Sequence, residues 1–327
     1  MQLTLSKCDD YARWNHFVKS SPQGSIFCRT DFLDSLETDY ELWWIEDRGE
    51  QRMGTIVLLD ENGTPRRAPY PFSLYHGVLC DDRSAALPTH SRVNDALQLE
   101  YFLLSKFEER YNRISFCMHP RVEDLRAFSW FHYHEPDKGR FHIDLHYTGL
   151  IDIKTCPDME TYVASIRRLR KREYRKAQAE GLIIESSQDI DTLARLYWLT
   201  LESQGNKFDS AIDRHMRMIA RSALSSDYGE LLVCKNPAGD AIYATLFLWD
   251  EYCAYHLIGN THPDFRYSGG GTFAMIEIIR QCGARGLLRV DTCGMNSPDR
   301  GDYKVSFNAV PVPYFEVTWD RPDDSRR

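Results

Sequence analysis

Apolar residues in the first half of the chain follow the short period of strands and then the wider spacing of a helix. Segments 40–47 (YELWWIED) and 52–60 (RMGTIVLLD) are rich in β-branched and aromatic residues, which predicts two strands. Residues 94–111 repeat apolar side chains at helical spacing, which predicts a helix. Residues 113–120 (RISFCMHP) predict a third strand.

The second half shows the same alternation with clearer signals. A strand over 147–153 is followed by one long helix, 159–181, which Gly181 ends, and by a second helix over 189–205. Tight turns then separate three consecutive strands before a last helix and two more strands. These later segments are 230–236, 241–250, 253–260, the helix 272–286, and the strands 287–294 and 314–319.

The order of elements predicts an α/β protein with mixed, mostly antiparallel sheets flanked by helices. The chain has 327 residues, enough for two domains of ordinary size. We place the boundary after His146, which gives domains 1–146 and 147–327. The second domain does not have a Rossmann order, because its glycine-rich segment follows an antiparallel meander rather than the first strand of a βαβ unit.

Composition narrows the class of protein. Hydrophobic residues make up 43% and charged residues 27%, which is typical of a soluble globular protein. The net charge of -8 argues against a surface built as a whole to bind nucleic acid. The nine cysteines form no C-x-x-C pair, so neither a zinc site nor a disulfide framework is indicated.

The same features predict a cytoplasmic protein. Reduced cysteines fit that compartment, and the first residues lack the basic and apolar run of a signal peptide. The sequence has no apolar stretch long enough to span a bilayer, although peripheral membrane association stays open. The oligomeric state is also left open.

Three consecutive glycines follow Arg266 in the segment RYSGGGT, residues 266–272. The segment lies between a predicted strand and a predicted helix, where backbone N–H groups and the positive helix end attract anions. Glycine lets a phosphate oxygen approach the backbone without a Cβ in the way. The segment therefore predicts a phosphate site, and the alternative is a flexible connection between strand and helix.

The segment Arg266-Tyr-Ser-Gly269-Gly270-Gly271 resembles the R/Q-x-x-G-x-G/A pyrophosphate loop of the GNAT acyltransferases. Two further stretches resemble the FemAB-like branch, which carries two GNAT domains in one chain. They are RKAQAEGL, residues 175–182, and the segment 291–311, which is similar to a G…G-x-x-x-F-K-x-x-F-G ending. The latter departs from that ending by Tyr303 in place of Phe and Asn308 in place of the final Gly.

The resemblance implies two GNAT-like domains and an acyl-CoA as co-substrate, with no metal. The first half has no glycine-rich loop before its helix, so a single CoA site in the second domain is expected. The residues that the resemblance assigns to CoA binding are Arg266, Ser268, Gly269, Gly270, Gly271 and Thr272.

A cluster of basic residues marks the predicted helix 159–181. Seven arginines and lysines fall within residues 167–176 against one glutamate, and Arg168, Arg172 and Arg175 lie on roughly one helical face. One interpretation is recognition of phosphates on a nucleotide-linked substrate or on a tRNA. The other is a solvated face whose long side chains cover apolar surface. The acidic chain favours a small phosphorylated ligand.

Acyl transfer to an amine needs a proton acceptor near the nitrogen and an acid near the leaving thiolate. His256 precedes the glycine segment and Asp291 ends the following strand, so both are candidate acceptors. Tyr303 is the candidate acid, and Lys304 beside it is assigned to substrate binding. A core histidine, a capping aspartate and a packing tyrosine are the alternatives. Cys293 could act as a nucleophile with His256 as base, but no flanking motif supports an acyl-enzyme.

Histidines alternate along residues 142–146, where His142, Asp144 and His146 share one predicted strand face. This spacing could bind zinc. We favour a polar, substrate-facing strand with His142 and His146 as substrate contacts and expect no metal.

Together these features predict an N-acyltransferase that moves an acyl group from acyl-CoA to the amine of a phosphorylated acceptor. Within the resembling branch, the favoured acceptor is a nucleotide-linked amino sugar used for surface polysaccharides. The alternatives are a FemAB-like peptidyltransferase that takes its donor from aminoacyl-tRNA, a non-catalytic binding module and a nucleic-acid binder.

Overall fold

The computed structural model describes residues 1–83, 87–154 and 158–322. They separate into two compact units. The first unit comprises residues 1–146 together with the C-terminal segment that starts at Pro313, and the second comprises residues 147–312. The break after His146 coincides with the predicted boundary. The end differs, because the segment from Pro313 was expected in the second domain. Cys156 lies outside the described residues.

The first unit is built from an antiparallel sheet and the helices that cover it. Its sheet order is β1-β2-β3-β4. Aromatic and branched residues such as Trp43 and Ile45 on β2 face the helix residue Phe107 in one buried core. The elements are β1 (Leu3–Lys7), α1 (Tyr11–Ser20), α2 (Thr30–Leu33), β2 (Tyr40–Asp47), β3 (Glu50–Leu58), β4 (Val78–Cys80), α3 (Thr89–Arg110), β5 (Arg113–Cys117) and α4 (Arg126–Trp130).

The strand β6 (His142–Asp152) leads into the second unit. The remaining elements are α5 (Met159–Ser165), α6 (Arg168–Ala179), β7 (Ile183–Ser187), α7 (Ile190–Glu202), α8 (Ser210–Ser225), β8 (Gly229–Lys235), β9 (Ala241–Trp249), β10 (Cys253–Thr261), α9 (Gly270–Ala284), β11 (Arg289–Asp291), α10 (Pro298–Val305) and β12 (Val310–Asp320).

In the second unit the strand order is β6-β11-β10-β9-β8-β7. Only β10 and β11 pair in parallel among the registers that the structure describes for this sheet, with Tyr255 opposite Asp291. A parallel pair needs a crossover, and α9 provides it. Alpha-9 buries an apolar face that includes Met275 and Ile279 against the sheet. A β-bulge on β10 between His256 and Ile258 bends that strand beside the crossover.

The end of the chain belongs to the first unit because β12 pairs with β5 there. The antiparallel register places Glu316 opposite Cys117 and Trp319 opposite Ile114. Trp319 is buried in the core of the first unit. Sequence patterns indicated this strand but not its partner, since strand pairing over 200 residues leaves no local signal.

The predicted long helix 159–181 is wrong in one respect, because it is two helices. Ile166 has an extended backbone, with ψ 167, and it is buried. The Arg167 N–H donates to Ser306 O at 3.0 Å instead of closing a helical turn. Alpha-6 therefore starts anew at Arg168. The pattern also missed α1, α8, α10 and β7, whereas the antiparallel meander β8-β9-β10 is confirmed.

No helix in the described segments combines the length and the apolar character needed to cross a lipid bilayer. Likewise, no disulfide joins the eight cysteines that lie in those segments.

Candidate active site

The glycine segment forms the N-terminus of α9. Gly269 is the N-cap residue and adopts φ 84, a left-handed conformation that glycine reaches without strain. The Gly270 N–H donates to Ser268 Oγ at 3.2 Å. The first turn of the helix, with Gly271 and Thr272, follows directly. The predicted strand–glycine–helix arrangement is therefore present, and its helix end is positively polarised.

Close packing accounts for the glycines at least as much as an approaching ligand would. A Cβ at Gly269 would lie 2.7 Å from the backbone oxygen of Glu173, so α6 passes directly over this position. A Cβ at Gly271 would lie 3.2 Å from the Tyr243 ring and 3.4 Å from the Tyr303 hydroxyl. The backbone of α9 thus touches α6, β9 and α10 through bare Cα atoms.

Side chains of α6 tie the helix N-terminus to α10. Glu173 Oε2 accepts from Thr272 Oγ1 at 2.5 Å and from Arg170 Nη1 at 2.6 Å. Arg170 also donates to Ser306 Oγ at 2.7 Å, and its guanidinium lies 4.6 Å from the centre of the Tyr303 ring. Sequence reasoning counted Arg170 among the basic residues but did not distinguish its linking position.

The remaining predicted loop residue, Arg266, is exposed. Its Nη2 donates to Ser203 Oγ at 2.7 Å. Next to it, Lys176 Nζ donates to Tyr267 O at 2.8 Å, so α6 also fixes the backbone of the loop. Because its one described partner is a neutral hydroxyl, the Arg266 guanidinium can still bind an anion at the rim of the helix N-terminus.

Four cations of α6 line one surface recess, namely Arg168, Lys171, Arg172 and Arg175. The predicted common face of the three arginines is therefore confirmed. Neighbouring cations are neutralised, since Arg167 pairs with Asp302 at 2.8 Å and Arg170 with Glu173. Within the described segments, no carboxylate pairs with the three arginines of the recess. The recess is a concentrated positive charge that the chain does not balance locally.

His256 lies on β10 and is buried, with 8% of its surface exposed. Burial lowers the pKa of its imidazole to about 3, and the nearby Lys304 charge acts in the same direction. Its Nε2 is 3.2 Å from the Tyr243 hydroxyl. A Cβ at Gly259 would collide with that hydroxyl and lie 2.6 Å from Nε2, so Gly259 makes room for the pair. Sequence reasoning missed Tyr243.

Asp291 ends β11 and is 2% exposed. Its Oδ1 accepts from the Cys293 N–H at 2.8 Å and from the Thr148 hydroxyl of β6. The parallel pairing of β10 and β11 puts Asp291 beside Tyr255, one residue from His256. The two predicted proton acceptors therefore lie on adjacent strands, as the order of elements predicted.

Tyr303 and Lys304 lie on α10. Burial raises the pKa of the Tyr303 phenol, so it remains protonated at neutral pH. The Lys304 side chain is buried, and burial lowers the pKa of its ammonium to about 8. Lys304 Nζ donates to Cys293 O at 3.1 Å and also to Gly294 O. It is an electrostatic neighbour of both His256 and Asp291, so these predicted residues share one site.

His142 and His146 belong to the first unit. His142 Nε2 pairs with Asp144 Oδ1 at 2.9 Å, and His146 Nε2 lies 3.4 Å from Glu316 Oε2. Across the described residues, no group of three His, Cys, Asp or Glu side chains is arranged to hold a metal ion.

Cys293 has the opposite character to a reactive thiol. Burial raises the pKa of its thiol well above the ordinary value, which disfavours the nucleophilic thiolate.

Residues 164–305 match the family model described as the acetyltransferase (GNAT) domain. The match spans α6, the glycine segment, β11 and Lys304. Residues 164–305 of this chain are therefore a GNAT domain. A search of curated proteins finds no significant match to the sequence.

Solved structures show that the tandem GNAT fold extends over the whole chain. The crystal structure of FemX has a TM-score of 0.67 at 14% identity, covering 96% of this chain and 97% of FemX. A tandem GNAT protein from the clavulanic acid biosynthesis pathway has a TM-score of 0.56 at 11% identity, covering 98% and 100%. The C-terminal domain of a candidate lysylphosphatidylglycerol synthetase from Agrobacterium fabrum has 0.56 at 11%, covering 94% and 91%.

These likenesses concern the fold. They show a double-domain GNAT fold, which agrees with the resemblance of the sequence motifs.

Proposed function

We propose that this GNAT protein transfers an acyl group from acyl-CoA to the amine of a phosphorylated acceptor. The observation that carries the proposal is the glycine-capped N-terminus of α9, which connects β10, the strand of His256, with β11, the strand of Asp291. A helix N-terminus of this kind favours a diphosphate. The acyl thioester would then lie beside the residues on the two strands.

The neutral amine attacks the thioester carbonyl carbon, a C–N bond forms, and the C–S bond breaks. Tyr303, whose phenol is protonated at neutral pH, donates its proton to the leaving thiolate. The nitrogen releases its proton to water, and water in turn returns a proton to the Tyr303 phenolate, so the protons balance. We assign to the Lys304 ammonium the task of stabilising the negative oxygen of the tetrahedral intermediate.

The pKa of His256 decides which role this candidate acceptor can have. A buried imidazole whose pKa is lowered to about 3 is neutral at physiological pH, so His256 accepts hydrogen bonds but retains a proton poorly. We therefore assign His256, with Tyr243 at its Nε2, to orienting the lone pair of the amine.

The acceptor is proposed to be a nucleotide-linked amino sugar, whose diphosphate would bind the recess of Arg168, Lys171, Arg172 and Arg175. Each charge-assisted hydrogen bond to a phosphate contributes roughly 1.5–3 kcal/mol. The absence of a carboxylate partner for the arginines among the described residues supports this assignment. The same recess favours a second candidate, in which the donor is an aminoacyl-tRNA and the cations contact its phosphates.

Arg266→Glu is expected to weaken acyl-CoA binding about tenfold, because it replaces an exposed cation at the rim of the α9 N-terminus by an anion. Isothermal calorimetry with acetyl-CoA measures the change. Arg289→Glu is the matched control. Arg289 is also exposed, but it lies on β11 opposite Cys253 in the strand register. That position is at the end of β10 farther from the loop. Equal affinities for the wild type and Arg266→Glu would remove this loop as the CoA site.

Arg172→Glu is expected to raise KM for the acceptor about tenfold and to leave KM for acyl-CoA nearly unchanged. It should also flatten the salt dependence of acceptor binding, because exposed charges are screened by salt. The assay is a panel of acyl-CoAs against amino-sugar nucleotides, with Arg221→Glu on α8 as the control for an exposed charge reversal. If neither KM responds, the recess is only a solvated face. Tight binding of a tRNA transcript that Arg172→Glu abolishes would transfer the donor role to aminoacyl-tRNA.

A further inference from the structure

We propose that Thr148 and Asp291 are positioning residues that hold a left-handed turn at Cys293-Gly294, and that this turn places the Lys304 ammonium for the reaction. The inference rests on the proposed function for the role of Lys304. The geometry of the turn itself is independent of that role.

The turn has an uncommon backbone. Cys293 has φ 53 and Gly294 has φ 87, so two consecutive residues are left-handed. Glycine adopts this region freely, whereas a residue with a side chain reaches it at a cost and needs support from its surroundings. The consequence of the conformation is that both carbonyl oxygens, Cys293 O at 3.1 Å and Gly294 O, accept from Lys304 Nζ.

Two side chains supply that support from the opposite side of the turn. Asp291 Oδ1 accepts from the Cys293 N–H at 2.8 Å. The Thr148 hydroxyl donates to the same Oδ1 and accepts from the Gly294 N–H at 3.3 Å. Each residue of the turn therefore has its N–H bound by this pair and its carbonyl bound by Lys304.

The strand β6 holds Thr148 closely against the turn. The Thr292 N–H donates to Gly149 O at 2.9 Å, next to Thr148 along β6. A Cβ at Gly149 would lie 2.7 Å from Thr292 Oγ1 and 2.6 Å from Met295 Sδ. The strand and the turn are thus in contact on both sides of the hydroxyl, which restricts where the turn can move.

The turn fixes the position of the Lys304 ammonium through its two carbonyl oxygens. The charged or titratable groups that act on it are Cys293, Asp291, Arg300 and His256. An ammonium has three N–H donors, and two of them go to the turn. The third has no acceptor among the described residues, so it is available to a substrate carbonyl. This arrangement gives Asp291 a fixed structural task rather than that of a mobile proton acceptor.

The test uses the full chain with two readouts. The first is an NMR titration of lysine-labelled protein without substrate, in which loss of a signal in Lys304→Met identifies Lys304. The second is kcat for acyl transfer from acetyl-CoA to an amine that the wild type acylates. The variants are Thr148→Val, which removes the hydroxyl at nearly constant shape, Thr148→Ser, which keeps it, and Asp291→Asn.

Thr148→Val should displace the titration midpoint of Lys304 from near 8. The shift is downward if the ammonium stays buried without its carbonyl partners and upward if it swings to water. Asp291→Asn should lower the midpoint, because a nearby negative charge is lost. Thr148→Val should also lower kcat roughly 10- to 100-fold with little change in KM for acyl-CoA, and Thr148→Ser should restore both readouts.

A midpoint and kcat for Thr148→Val that equal those of the wild type would overturn the proposal. The proposal would also be overturned if Thr148→Ser shifted the midpoint and lowered kcat as much as Thr148→Val does, because the hydroxyl would then be irrelevant. If Asp291→Asn fails to fold, the threonine pair still decides. A wild type that acylates no amine refutes the proposed function alone, because the substrate-free titration still shows whether the turn holds Lys304.

Discussion

Replacing His256 by asparagine is expected to lower kcat for acyl transfer by roughly 10²-fold or more, with a smaller effect on KM. His256 is buried on β10, where its Nε2 is 3.2 Å from the Tyr243 hydroxyl, and asparagine cannot reproduce the ring nitrogen at that position. Since its pKa is lowered to about 3, the ring stays neutral throughout the usual assay range. The acid limb of the pH–rate profile should therefore not move in the variant.

His215→Asn is the matched control, because His215 on α8 is equally buried at 8% exposure. It should keep kcat close to that of the wild type. Tyr303→Phe in the same assay tests the proposed acid, and Asp291→Asn tests the other predicted acceptor. Near wild-type kcat in both His256→Asn and Asp291→Asn would show that neither residue handles the amine. An acid limb that disappears with His256 would show instead that the ring titrates in the assay range.

Replacing Gly269 by alanine is expected to destabilise the protein more than most single substitutions. The left-handed backbone at φ 84 costs a residue with a Cβ roughly 1–3 kcal/mol. The new Cβ would also lie 2.7 Å from Glu173 O, which is backbone and cannot move without shifting α6. Urea denaturation should therefore show a lower midpoint and a lower free energy of unfolding. Acyl-CoA binding should weaken as well, because the loop is displaced.

Gly283→Ala is the control within the same helix. Gly283 lies in the last turn of α9, it is exposed, and a Cβ there meets nothing within 4 Å. Because alanine loses less backbone entropy than glycine, the protein should gain roughly 0.5–1 kcal/mol. Opposite signs for the two glycines are the expected result. A neutral Gly269→Ala would mean that α6 does not press on the loop.

Local patterns in the sequence determined most of the second unit. Periodic apolar residues placed the meander β8-β9-β10, and the glycines placed the start of α9, because both features depend on the preferences of neighbouring residues. The helical repeat also put Arg168, Arg172 and Arg175 on one face. Motif resemblance identified the GNAT domain and the double-domain fold, which the family model and the structural neighbours bear out.

The break at Ile166, the partner of β12 and the environment of each site residue were decided only by the tertiary structure. Arg167 leaves the helical pattern to reach Ser306, 139 positions later in the chain, and β12 pairs with β5 across an even larger separation. The turn that holds Lys304 likewise needs Thr148, which lies far from it in sequence. Burial keeps His256 neutral and lowers the pKa of Lys304 to about 8. Hydrogen bonds and burial of this kind depend on distant segments meeting in space, so residue order alone carries no direct record of them.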